Sequence, residues 1–160
     1  MPVKPKILLV EDESPKLTHI SALLQKLAPT AHVVTARSVT SALRLIESEE
    51  FELLILDMSL PTFDIGERES GGRPQGFGGT EILRHASMAE RLGPTIIITG
   101  YEGFLREGGE IVNLEILKAE LIDEFEEHIV EVLHYNSAYD RWKLALKSSL
   151  NSLGIIGEEK

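Results

Sequence analysis

The chain has 160 residues, 42% of them apolar, which suits one compact domain with a proper core and little else. Sixteen basic residues against 26 acidic ones leave a net charge of −10, which argues against general binding to nucleic acid or anionic membranes. There is no cysteine, hence no disulfide framework or thiolate metal site. No apolar run approaches the roughly 20 residues that span a bilayer, and the opening MPVKPKILLVEDE lacks a signal-peptide core. A soluble, cytoplasmic protein is expected.

Short apolar runs alternate with amphipathic ones. KILLV (Lys6–Val10) reads as a buried strand, and Ser14-Pro15 then supplies an N-cap and a proline at the first helical position. Leu17, Ile20, Leu23, Leu24 and Leu27 follow at helical spacing until Pro29 stops them. HVVTA (His32–Ala36) is a second strand, and Ser38 caps a second helix with Val39, Ala42, Leu43 and Ile46 on one face. FELLIL (51–56) is the third strand, residues 80–92 a helix and PTIIIT (94–99) the fourth strand. IVNLEIL (111–117) is expected as a fifth strand, with a long helical pattern from about Ala119. The segment GERESGGRPQGFGG (66–79) carries six glycines and reads as a long mobile loop.

Alternating strands and helices imply crossover connections, hence a parallel sheet with helices on both faces. Such sheets bind ligands beyond the carboxyl ends of their strands. At that edge the sequence places Glu11, Asp12 and Glu13 after strand one, Asp57 after strand three, Thr99 at the end of strand four and Lys118 at the end of strand five. Singly, each has a structural reading: Asp57 as a turn-former, the acidic run as a helix cap, Thr99 as a strand residue, Lys118 as surface decoration. Together they are parts for phosphoryl transfer to an aspartate. Clustered carboxylates suit Mg²⁺, a carboxylate can act as nucleophile, and a hydroxyl and an ammonium can hold phosphoryl oxygens. The five histidines fall on separate elements and offer no metal pattern.

ILLVEDESP, LLILDMSLP and TIIITGY resemble the signature segments of the receiver domain of two-component response regulators, the CheY-like family, over roughly residues 5–135. The resemblance implies a flavodoxin-like, doubly wound, five-stranded parallel sheet of order 2-1-3-4-5. It also implies Asp57 as phosphoacceptor, Glu11 and Asp12 as the acidic pair with Asp12 the direct Mg²⁺ ligand, and the Ser59 backbone carbonyl as a further ligand. Thr99 matches the switch hydroxyl and Lys118 the phosphate-binding lysine. Three positions depart from the family pattern. Ala119 stands where proline usually follows the lysine, and Glu115 where an aromatic residue is usual, with Tyr101 near enough in sequence to stand in. Residues 66–79 look like an insertion beside the site, with Arg68 and Arg73 as candidate phosphate contacts.

The reading that follows is a stand-alone receiver domain (1–136) with a C-terminal helical extension and tail (137–160). It accepts a phosphoryl group on Asp57 from a histidine kinase or phosphotransfer protein, with Mg²⁺, and signals to an output protein by direct contact. It is not an enzyme beyond self-catalysed phosphorylation and dephosphorylation. The alternatives are a phosphorylation-independent binding module and an aspartyl-phosphate phosphatase; Ser59, where such phosphatases need a second Asp, counts against the latter. At the C-terminus, Trp142, Leu146 and Leu150 form an apolar face. Left uncovered, it would support homodimerisation or docking of a partner.

Overall fold

The structure, a computed structural model, describes residues 4–61, 78–100, 103–105, 111–136 and 140–156. Strand β1 (Lys6–Val10) is an interior strand of a five-stranded parallel sheet, and its apolar run is buried on both faces. It pairs with β2 (His32–Ala36) on one side and β3 (Leu53–Leu56) on the other; β4 (Thr95–Thr99) and β7 (Ile129–His134) follow. The order is β2-β1-β3-β4-β7, or 2-1-3-4-5 counted by strands of this sheet.

Helices α1 (Ser14–Leu27) and α5 (Arg141–Ser152) cover one face, with Ile20, Leu24, Trp142, Leu146 and Leu150 packed on Ile7, Leu9, Ile55 and Ile98. On the other face lie α2 (Val39–Ser48), α3 (Gly78–Met88) and α4 (Leu114–Phe125). Ser38 caps α2 as expected, its side chain accepting from the Ser41 amide at 3.1 Å. Glu13, not Ser14, occupies the cap position of α1. The Ser14 hydroxyl instead accepts from Arg37 Nη2 at 2.8 Å, while the same nitrogen donates to the Asp12 carbonyl at 2.7 Å. Arg37 thereby ties the end of β2 to the turn that carries the acidic residues.

The fifth strand is not where the sequence pattern put it. Only Ile111–Asn113 (β6) is extended, and it pairs antiparallel with β5 (Gly103–Leu105) in a separate two-stranded sheet. Asn113 then caps α4, its side-chain oxygen accepting from the Ile116 amide at 2.9 Å. Leu117, Leu121 and Phe125, at four-residue steps, are the residues α4 buries. Glu126 ends the helix with a positive φ of +47°, and a 3-10 turn (Glu126–His128) leads into β7. Ile129 and Val132, which fall within the helical pattern expected from about Ala119, therefore sit in a sheet strand.

The boundary expected at Asn136 separates β7 from the helix that covers it. Trp142, Leu146 and Leu150 are buried against the chain's own sheet, and Trp142 Nε1 donates to the Asn136 carbonyl at 3.1 Å. The uncovered face that motivated self-association is absent. Most of the glycine-rich segment, with Arg68 and Arg73, and also Tyr101, lies outside the described residues. Its last two glycines open α3. Among the described residues no helix is long and apolar enough to cross a membrane.

Candidate acidic phosphoacceptor site

Three parallel strands deliver the site. β1 ends in Val10, so Glu11 and Asp12 follow at its carboxyl edge; β3 ends in Leu56, so Asp57 follows at its edge. Backbone bonds hold them level: the Asp57 amide donates to the Val10 carbonyl at 3.1 Å, and the Glu11 amide to the Ala36 carbonyl at 3.0 Å. Carboxylate oxygens of Glu11, Asp12 and Asp57 come within 4.8 Å of one another. Glu11 and Asp57 are buried and Asp12 is half-buried.

The turn after Asp57 is built closely. Its Oδ1 accepts from the Met58 amide at 2.8 Å, and the Met58 carbonyl accepts from the Gly79 amide at 2.9 Å. A Cβ on residue 79 would lie 2.5 Å from the Asp57 carbonyl oxygen, so only glycine lets the first turn of α3 approach this backbone. Thr99 ends β4 fully buried, and its carbonyl accepts from the Tyr135 amide at 2.8 Å.

Burial holds the Glu11 carboxyl up to about 7, with the neighbouring Asp57 charge adding to the effect and Lys16 opposing it. Asp12 is raised as well, by burial first and then by Asp57. Such mutual destabilisation calls for positive charge. Part of it comes from Lys16, in the first turn of α1. Its Nζ lies 2.6 Å from Glu11 Oε2 and 3.4 Å from Asp57 Oδ2, and donates to the Ile98 carbonyl at 2.8 Å.

The sequence reading missed Lys16, although a signal was present. Lys16, Ile20 and Leu24 are spaced at four and form the buried stripe of α1. A lysine heading a buried stripe needs an acidic partner inside the fold.

Lys118 is not brought to this site. It lies on α4, partly exposed, with Nζ paired to Glu131 Oε1 at 2.9 Å. The reason is the different location of the fifth sheet strand: residues 114–125 are helix, so Lys118 never ends a sheet strand. The end of β7 presents His134 and then Tyr135 instead. The Tyr135 ring underlies the Lys16 ammonium, 5.5 Å from Nζ to the centroid. Its hydroxyl bonds His19 Nδ1 at 2.9 Å, and its ring packs on Trp142 with centroids 5.1 Å apart.

The donors in this cluster are all carboxylate oxygens, which suits a hard cation such as Mg²⁺ better than the softer zinc or copper. Lys16 already engages Glu11, whose Oε1 also accepts from the Glu13 amide at 3.1 Å. Asp12 is the more exposed of the acidic pair.

No protein-family model matches the chain. Among curated proteins it is 29% identical over 150 residues to the uncharacterized protein y4jR of Sinorhizobium fredii, covering 92% of this chain and 98% of that one. It is 22% identical over 150 residues to the Detocs response regulatory protein DtcB of Enterobacter cloacae, covering 92% and 99%. Among solved structures, the signal receiver domain of an HD domain-containing protein from Pseudomonas fluorescens Pf-5 matches with TM-score 0.62 at 25% identity, over 95% of this chain and 98% of that one. The response regulator TrrA from Thermotoga maritima, in complex with Mg²⁺ and beryllofluoride, matches with TM-score 0.59 at 20% identity, over 91% and 99%.

Proposed function

We propose that this chain, which has the fold of the response-regulator receiver domain, is a phosphoacceptor that takes a phosphoryl group on Asp57 from a phosphohistidine protein. The observation that carries the proposal is the convergence of Glu11, Asp12 and Asp57 within 4.8 Å at the carboxyl edge of a parallel sheet. The likeness in fold to a response regulator solved with Mg²⁺ and beryllofluoride supports it.

In this reading the Asp57 carboxylate attacks phosphorus. A new P–O bond forms as the bond to the donor breaks, and the bonding electron pair leaves on the donor. Asp12, Asp57 and the Ser59 carbonyl would hold Mg²⁺, with Glu11 behind them. Bound there, the ion would offset charge on the transferring group. The Met58 amide on Asp57 Oδ1 leaves Oδ2 as the oxygen facing the Lys16 ammonium. Thr99 would donate its hydroxyl to a phosphoryl oxygen. Output is by protein–protein contact, from a cytoplasmic protein whose partners are a kinase or phosphotransfer protein and a downstream receiver of the signal.

The test is intact-mass measurement after incubation with acetyl phosphate and Mg²⁺. Wild type should gain one phosphoryl group, while Asp57→Asn, or wild type in excess chelator, should gain none. Undiminished labelling of Asp57→Asn would contradict the proposal.

A further inference from the structure

We propose that Lys16, entering from the first turn of α1, is the residue that holds a phosphoryl oxygen on Asp57, in place of a lysine at the end of a sheet strand. The inference rests on the reading of Asp57 as phosphoacceptor. Three observations carry it.

The first is position. The Lys16 ammonium bridges Glu11 and Asp57 and is anchored to the Ile98 carbonyl, one residue before Thr99. It thus stands between the acidic pair and the strand that carries the hydroxyl. The second is the content of the sheet edge. The residues that end β4 and β7, Thr99 and Gly100 on one and His134, Tyr135 and Asn136 on the other, include no lysine. Lys118 is engaged with Glu131 on α4. The third is support. Tyr135, at the end of β7, lies under the ammonium, and Tyr135 is itself wedged against His19 of α1 and Trp142 of α5. The strand end supplies an aromatic platform and the helix supplies the charge, so the usual division of labour is exchanged between the two elements.

The charge balance agrees. With all three carboxylates ionised, one ammonium leaves two negative charges, which a divalent cation matches. An ammonium has three donors. On phosphorylation Lys16 would keep Glu11 and Ile98 and exchange its contact with Asp57 Oδ2 for a phosphoryl oxygen, a movement of the side-chain tip alone.

Beryllofluoride binding in the presence of Mg²⁺, followed by ¹⁹F NMR, tests the proposal on wild type, Lys16→Met and Lys118→Ala. Wild type and Lys118→Ala should bind equally. Lys16→Met should bind at least ten-fold more weakly while Mg²⁺ affinity is kept or increased, because a cation has left the metal's surroundings. Equal binding by Lys16→Met and wild type would overturn the role of Lys16 and leave Asp57 as acceptor. Tighter binding would also overturn it, by showing that Lys16 only blocks the site. No binding by wild type would remove the phosphoacceptor reading itself, and the role of Lys16 with it. Because Lys16→Met removes a buried charge and can unfold the chain, the lysine ¹⁵Nζ resonances of the wild type give an independent readout. One should shift when beryllofluoride is added at constant Mg²⁺, and that signal should not be the one lost in Lys118→Ala; no shift would overturn the proposal.

Discussion

The Lys16 ammonium lies 3.4 Å from Asp57 Oδ2, both groups buried, on a helix and a strand end that the sequence separates widely. Removing one partner of a buried ion pair strands the other's charge. Lys16→Met should therefore cost about 3–5 kcal/mol of folding stability. Adding Glu11→Gln should recover part of that loss, since one uncompensated carboxylate disappears. Urea denaturation of the two single variants and the double one reads the coupling; additive losses would mean that Lys16 and Glu11 do not act as a pair.

Glu11 sets a pH dependence of the metal-free protein. Its folded pKa, about 7, lies above the ordinary value of 4.5, so the folded chain holds this proton more tightly than the unfolded one. The stabilisation is complete below pH 4.5 and is lost as pH rises to about 7. It amounts to about 3–4 kcal/mol at most. Subtracting the profile of Glu11→Gln from that of wild type should show this fall. A difference that rises with pH over the same window would contradict it.

The α5 face should behave as core. Trp142→Ala should cost about 3–5 kcal/mol, as expected for a large buried aromatic residue. Leu144→Lys, at a position that is 68% exposed on the opposite side of α5 from the buried stripe, should change stability by about 0.5 kcal/mol or less. Equal tolerance of both substitutions in thermal melts would mean that α5 does not pack on the sheet.

Much of the fold was legible because β1, β3 and β4 are uninterrupted apolar runs, and such strands are buried on both faces wherever they occur in the sheet. The acidic residues at their ends were legible for the same reason. What failed was residues 111–134. IVNLEIL satisfies a strand pattern and a helix start equally well, and the deciding contact is local: Asn113 accepting from the Ile116 amide. Strand β7 carries Glu131 and His134 among its apolar residues, and its Ile129 and Val132 continued the helical spacing of α4, which concealed it. Lys16 was not legible because a charged residue in the first turn of a helix is ordinarily solvated; its burial depends on carboxylates that only the tertiary fold brings near.

Lys118 should prove peripheral. Its pair with Glu131 is partly exposed on both sides, so Lys118→Ala should cost about 1 kcal/mol or less. Phosphorylation by acetyl phosphate should keep the wild-type rate. A rate loss of ten-fold or more, with the fold intact by circular dichroism, would return Lys118 to the site.

The most direct test of Asp57 as a Mg²⁺-dependent phosphoacceptor is a crystal structure grown with Mg²⁺ and beryllofluoride. The account predicts beryllofluoride on Asp57, a single Mg²⁺ held by Asp12, Asp57 and the Ser59 carbonyl, and the Lys16 ammonium within hydrogen-bond reach of a fluoride. An Asp57 carboxylate that carries no beryllofluoride and remains paired to Lys16, with no metal beside Asp12, would contradict it.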